Sequence, residues 1–561
     1  MTPDPEALAA EYRRLAGAEA QRWAALEAAG VRSWADAWEA RVDASPAATA
    51  VVDLATGRSW SYRELDQAAD RVAAWAARQA ERSLALRGPN GAPLLAAVLG
   101  LAKAGRTAVL LKTREPLAAQ AERCRVGGAA RALVVGEAIP GVPSQAVAPL
   151  LAAPWPGRAP AAERAAVSLA DPCAVIFTSG TQGPSKGALF SHRRMIGAGV
   201  AWALRCALGP ADRCYIPLPL YHGNGLAVAF SSCVEAGAAA VVRDRFSVRA
   251  FSVDVRRHGC TAVVYIGELW RYLANRAGAE RPASPLRVAF GNGLGEDLWA
   301  WAVEWFGLER VVEHFGATEM PAGALTNWAG RPGRCGYIPP DHPDARDVLL
   351  VDDAGRPVAC GQPGEALLRV PGGVYRGYVD PSQDAPKVWR DLVEPGDAWW
   401  RSGDLLVREP DGFFRFVERR ADGFRFKGEN VSAAEVEGAL RSLGGVREAA
   451  VFPLTLAGTD GQIGAAAVVT ADGSLDPAAL LAHLQARLAP YALPRLVRVR
   501  REPLPTTGTL KVVKAALAAE GTARLAGERL LALRRGRYGW LDPEEAAAFA
   551  RECGDPEAPA P

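Results

Sequence analysis

Net charge, paired cysteines, long apolar runs and lysine are all scarce in this 561-residue sequence. Its 65 Lys and Arg nearly cancel its 62 Asp and Glu, leaving +3, so overall charge gives no reason to invoke nucleic acid or an anionic membrane surface. Any negative ligand must be met locally. The nine cysteines are scattered, odd in number and contain no CxxC pair, which argues against a zinc site or a disulfide scaffold and for reduced thiols. The most apolar run, Ala92–Leu111, is interrupted by Lys103, Gly105 and Arg106 and falls short of a clean span of about 20 residues. The first residues carry acids and no apolar stretch, unlike a secretory signal. Together these features imply a soluble, cytoplasmic protein with no membrane span. No internal repeat is present, and a 49% hydrophobic composition excludes disorder over most of the length.

Helical spacing opens the chain at Glu6–Ala28. Thr56-Gly57 between AVVD and SWSY reads as a hairpin, and Ser61 with Glu64 forms a capping box for a helix reaching about Arg78. Apolar strands then alternate with helical segments: TAVLL (107–111), ALVV (132–135), AVIF (174–177), AAVVR (239–243), TAVVYI (261–266) and LRVAF (286–290). This predicts an α/β fold of layered, mainly parallel sheets, with ligands in crevices at the carboxyl ends of strands. Short strand pairs over about 346–420 predict a β-rich subdomain within an N-terminal domain of residues 1–420. Residues 421–561 form a separate, compact α+β lid, ending in a frayed tail.

Four segments carry chemistry. Strand AVIF runs into Thr178-Ser179-Gly180-Thr181-Gln182-Gly183-Pro184-Ser185-Lys186-Gly187, where glycines admit backbone N–H groups, hydroxyls donate and Lys186 adds a compact charge, a combination suited to polyphosphate. The G-K-[ST] ending of a Walker loop is missing. Phe315-Gly316-Ala317-Thr318-Glu319 follows an apolar run; its ring suits a base, Thr318 a phosphate and Glu319 a hard cation such as Mg²⁺. Trp400-Arg401-Ser402-Gly403-Asp404, with Arg419 fifteen residues on, offers a carboxylate for ribose hydroxyls. Pro503-Leu504-Pro505-Thr506-Thr507-Gly508-Thr509-Leu510-Lys511 supplies an ammonium that could meet a developing oxyanion and a leaving pyrophosphate. Only seven residues are lysine (Lys103, Lys112, Lys186, Lys387, Lys427, Lys511 and Lys514) in a chain that otherwise relies on Arg, so a lysine marks a place where a flexible ammonium is wanted.

In this order and spacing the segments resemble the adenylate-forming superfamily, and within it the fatty-acid-transport-protein and very-long-chain acyl-CoA synthetase branch. The strings IFTSGTQGPSKGALFSHRR, PLPLYHGNGL, YIGELWRYL, FGNGLGEDLW, EHFGATE, YRGYVDP, EPGDAWWRSGDL, DGFFRFVERRADGFRFKGENVSAAEVE and LPTTGTLKVVK carry the likeness over nearly the whole chain. The resemblance implies that Thr178, Ser179, Gly180, Thr181, Gly183 and Lys186 line an ATP phosphate loop. Gly291, Asn292, Gly293 and Phe315 would enclose adenine. Thr318 would touch the α-phosphate, Glu319 bind Mg²⁺, Asp404 and Arg419 hold ribose, and Lys511 be the adenylation lysine. His222 matches a position near the reacting acid, and Lys427-Gly428-Glu429-Asn430 a lid segment lining a thiol channel for CoA. Gln182 and Ser185 depart from the usual Thr and Pro of the phosphate loop, Ala421 stands at a hinge position often Asp, and Met320-Pro321 replace Gly and a polar residue at the border of the acyl pocket.

The expected activity is an AMP-forming ligase acting on a small-molecule acid, with CoA as the second substrate, in a monomer or homodimer. An alternative keeps adenylation but delivers the adenylate to another acceptor, as in amide formation or nitrite activation for diazotisation of an aryl amine. A nucleotide-binding protein without turnover is the non-enzyme reading; the joint presence of Lys186, Glu319, Asp404, Arg419 and Lys511 argues against it.

Overall fold

The computed structural model describes residues 4–158, 167–178, 186–278, 281–321, 325–373, 375–420, 424–426, 429–455, 462–507, 510–520 and 528–552. Two sheets with parallel centres dominate the first 330 residues. One has eight strands in the order Leu325–Asn327, Arg310–Phe315, Val288–Asn292, Ala262–Ile266, Arg213–Ile216, Ala239–Val242, Thr49–Asp53 and Arg58–Ser61, antiparallel only at its two edges. The other has six, Ser144–Ala146, Ala132–Val134, Ser83–Arg87, Thr107–Leu110, Pro172–Thr178 and Lys186–Ser191, closed by an antiparallel pair. Strands buried on both faces read as the unbroken Val/Ala/Ile runs seen in the sequence, because helices cover both sides of a parallel sheet.

The expected hairpin forms at Thr49–Ser61, and the expected cap closes both ways at Ser61 and Glu64 before helix Tyr62–Ala76. The apolar run divides into helix Ala92–Lys103, buried along nearly its whole length, and strand Thr107–Leu110. Lys103, which interrupts that run, is itself fully buried against Glu39, Asp66 and Asp70. Lysine scarcity therefore marks a structural ammonium here, not a mobile one.

A six-stranded antiparallel sheet over residues 336–419 has its own core around Leu350, Ala366, Leu368, Trp400 and Phe414. Beyond it, Val446–Thr455, Gln462–Thr470, Leu496–Arg500, Arg529–Arg534 and Arg537–Trp540 make a five-stranded sheet packed on helices Ala433–Arg441 and Pro477–Gln485. Eight described cysteines are free, seven of them buried. No described helix is long and apolar enough to cross a membrane.

Candidate active site

The candidate residues lie at the carboxyl ends of strands from both parallel sheets, on the antiparallel sheet and in the C-terminal domain. Thr178 ends its strand opposite Lys186 in an antiparallel pair, and the Thr178 hydroxyl donates to the Lys186 carbonyl at 3.4 Å. Ser179, Gly180, Thr181 and Gly183, with Gln182 and Ser185, lie outside the described residues, as do Ala421, Lys427 and Gly428.

The strand after that loop carries the next part of the site. Tyr378 bridges to Ala188, Leu189 N–H donates to Gly377 O at 2.8 Å, and Val379 N–H donates to Gly187 O at 2.9 Å. This pairing brings the Tyr378 hydroxyl to Glu319 Oε1 at 3.1 Å, while the Lys186 ammonium sits 5.4 Å from the centre of the same ring. Tyr375 donates to the Glu319 carbonyl at 2.8 Å. Arg194, on helix His192–Arg205, donates to Thr318 O at 2.5 Å and lies over the Phe190 ring at 4.1 Å. Burial pushes its guanidinium down to about 10, so it is still charged at neutral pH. The 316–319 loop is thus fixed to the phosphate-loop strand from two sides. Glu319 offers a hard carboxylate oxygen of the kind magnesium prefers.

Gly291, Asn292 and Gly293 continue the carboxyl end of a central strand. A Cβ on Gly291 would lie 2.0 Å from Tyr265 O, and one on Gly267 1.7 Å from Gly293 O, so only glycine permits the two chain segments to cross there. Glu313, fully buried, accepts from Gly293 N–H and Leu294 N–H, both at 2.9 Å, and from Tyr265 Oη at 2.5 Å. Burial lifts its carboxyl to about 8 against these three donors. Asn224 donates to Asn292 Oδ1 at 2.8 Å from the neighbouring π-helical turn Asn224–Phe230. Phe315 is buried in the antiparallel subdomain's core cluster, together with Met320, Leu325 and Tyr375.

Asp404 and Arg419 face each other in register on paired strands, Nε to Oδ1 3.4 Å. Burial raises the Asp404 carboxyl to about 6, with Arg419, Lys511 and Lys387 pulling it back. His222 is driven down to about 3 by burial, then by Lys112, Lys511 and Arg123, so its imidazole is neutral at pH 7. Burial likewise raises Glu268 and lowers His314, and the positive charge of Lys511 acts on both.

Lys511 follows a tight turn in which Leu510 N–H donates to Thr507 O and Thr507 N–H to Lys511 O, both at 2.8 Å, with Leu510 at a positive φ of 61°. Leu510 packs against the core of the large parallel sheets. An ammonium borne by the C-terminal part of the chain therefore acts on Asp404, His222, Glu268 and His314 at once.

Residues 38–379 match the family described as AMP-binding enzyme, and residues 435–511 its C-terminal domain. The chain belongs to the AMP-binding enzyme family. It is an adenylate-forming enzyme of the AMP-forming acid ligase class. The human protein named long-chain fatty acid transport protein 1 is 33% identical, over 92% of this chain and 86% of that protein. Human long-chain fatty acid transport protein 5 is 35% identical over 64% of this chain and 54% of its own length. Two solved structures share the fold. The o-succinylbenzoate CoA synthetase of Bacillus subtilis with its acyl-adenylate has a TM-score of 0.72 at 22% identity, covering 88% of this chain and 98% of that one. The anthranilate CoA ligase with anthranoyl-AMP has 0.73 at 20%, covering 87% and 96%.

Four residues of this family member were not singled out by sequence reasoning: Arg194, Glu313, Tyr375 and Tyr378. Their strings, SHRR, EHFG and YRGY, were visible. Their partners are backbone groups, the Tyr265 hydroxyl and the Glu319 carboxylate, most of them on other elements, so no local pattern announces the contact.

Proposed function

We propose that the enzyme activates an acid with MgATP and then transfers the acyl group to the thiol of CoA. In the first step an oxygen of the acid attacks the α-phosphorus, the bond from that phosphorus to the bridging oxygen of pyrophosphate breaks, and pyrophosphate leaves. Lys511 stabilises the charge that develops on the transferring group, and Thr318 holds the α-phosphate. Thr178, Ser179, Gly180, Thr181, Gly183 and Lys186 retain the outer phosphates, Gly291–Gly293 and Phe315 the base, and Asp404 with Arg419 the ribose. Glu319 would hold magnesium, which neutralises phosphate oxygens when bound. Catalysis is then positioning and electrostatics, and no protein nucleophile is required. Neutral His222 adds no charge beside the reacting acid. In the second step residues 421–561 move as a lid about Ala421, withdraw Lys511 and bring Lys427–Asn430 beside the thiol, whose sulfur attacks the acyl carbonyl as AMP departs.

The observation that carries this reading is the packing of Leu510, next to Lys511, against the core of the large parallel sheets, which lets the Lys511 charge act on Asp404, His222 and Glu268. A pyrophosphate-release screen over aliphatic, aryl and cinnamic-type acids, with and without CoA, tests it. Release that depends on the acid, with thioester and AMP appearing only when CoA is added, is the expected result; release independent of any acid, or none at all, refutes it.

Asp404 gives the reaction a pH dependence. Its carboxyl titrates near 6 in the free enzyme, above the ordinary 3.8, so it carries charge above about pH 6 and loses it below. The kcat/KM for ATP should therefore fall about tenfold per pH unit beneath that point. Asp404→Asn should remove this acid limb and lower the plateau by roughly 10- to 100-fold, the worth of a hydrogen bond to a charged group. An unchanged profile in that variant would show that another group titrates.

A further inference from the structure

A carboxylate on a loop serves a cation well only when its own rotamer is fixed, and the partner that fixes it is typically worth about 10- to 100-fold in metal affinity. Glu319 needs such a partner. Its backbone is held from outside: Arg194 donates to Thr318 O at 2.5 Å and to Ala317 O at 3.4 Å, and Tyr375 donates to Glu319 O at 2.8 Å. None of these contacts touches the carboxylate. Tyr378 does, through the 3.1 Å bond from its hydroxyl to Oε1, which leaves Oε2 for a cation.

Tyr378 is itself hard to move. It is only 3% exposed, and its backbone is pinned on both sides. It bridges to Ala188 on the strand Lys186–Ser191, while Asp384 Oδ1 accepts from Gly377 N–H at 3.0 Å and from Tyr378 N–H at 3.1 Å. Lys186 opens that same strand, and its ammonium lies 5.4 Å from the centre of the ring whose hydroxyl meets Glu319, within cation–π reach. One fixed side chain therefore faces both the phosphate-loop lysine and the carboxylate assigned to the metal.

Resting on the ligase reading above, we propose that Tyr378 is a positioning residue for the metal carboxylate: its hydroxyl takes Oε1 of Glu319 and so reserves Oε2 for the magnesium that accompanies ATP. Tyr378 acts through Glu319 and takes no part in bond making. Without the hydroxyl the carboxylate would hold its competent orientation for only a fraction of the time, and the apparent affinity for the cation would fall by that fraction. The requirement for magnesium should rise while the chemical step, once the cation is bound, stays as it was.

The test compares the full-length enzyme with Tyr378→Phe, which deletes one hydroxyl and keeps the ring. ATP affinity is measured by calorimetry in the absence of acid, first in EDTA and then at rising Mg²⁺, beside the Mg²⁺ dependence of acid-dependent pyrophosphate release. Tyr378→Phe should need about tenfold more Mg²⁺ to reach half its full ATP affinity and half its full rate, with ATP affinity in EDTA within about twofold of wild type and kcat at saturating Mg²⁺ within about threefold. A Mg²⁺ requirement equal to that of the wild type overturns the inference and leaves the ligase reading intact. So does a loss of ATP affinity as large in EDTA as in Mg²⁺, because the hydroxyl would then be holding the whole loop in place instead of the carboxylate. A wild-type enzyme that binds no ATP, or releases no pyrophosphate with any acid, overturns the ligase reading and this inference with it.

Discussion

Replacing Lys511 with alanine should lower acid-dependent pyrophosphate release by about 100- to 1000-fold, the usual cost of removing one preorganised charge or donor from a developing oxyanion. Thiolysis by CoA of a chemically prepared acyl-adenylate should stay within a few-fold of wild type. The asymmetry follows from where the ammonium sits. It reaches Asp404, Glu268, His222 and His314 only while the turn 507–511 is seated with Leu510 against the large core. If the second step uses a rotated lid, Lys511 is absent from it. Equal loss in both half-reactions would mean that the substitution disturbs the lid or the fold, and no loss in either would remove Lys511 from the chemistry. Lys514, three residues on, is the natural control: it pairs with Glu437 at 2.8 Å inside the C-terminal domain, and Lys514→Ala should leave the first step nearly unchanged.

The contrast between those two lysines shows what a sequence can and cannot carry. Thr178 and Lys186 at paired strand ends, Phe315 at the end of its strand and Asp404 inside a paired strand belong to contiguous strings, each placed by its own strand, and that placement was legible. The capping box at Ser61 was legible for the same reason. Arg194 and Tyr378 were not, because their function is a register: Tyr378 meets Glu319 only since Val379 and Gly377 pair with the strand after the phosphate loop. Met320, next to Glu319, has its side chain in the antiparallel subdomain's core with Leu325 and Trp400.

Lys103→Met should destabilise the protein by about 3–5 kcal/mol, the cost of leaving buried charge without its partner. The Lys103 ammonium contacts Glu39 at 2.9 Å, Asp66 at 2.6 Å and Asp70, and has no exposed surface. Asp66 and Asp70 sit four residues apart on helix Tyr62–Ala76, hence on one face, and would read from sequence as a solvated acidic stripe. Here they point inward, steadied by Trp38 and Trp155, whose indole nitrogens donate at 2.8 and 2.9 Å, and by Arg158 at the rim. The sign of the pH dependence separates this account from a simple packing defect. In the wild type the attraction of three acids outweighs burial and raises the Lys103 amine, so its contribution is complete below its ordinary value of 10.5 and flat from pH 5.5 to 8. In the variant the stranded carboxylates would take up protons that the unfolded chain does not hold, so stability rises as pH falls and the deficit shrinks. Urea midpoints at pH 8 and pH 5.5 should show a difference between variant and wild type that narrows at the lower pH. A deficit equal at both values would mean that lost packing, not uncompensated charge, is what Lys103 prevents.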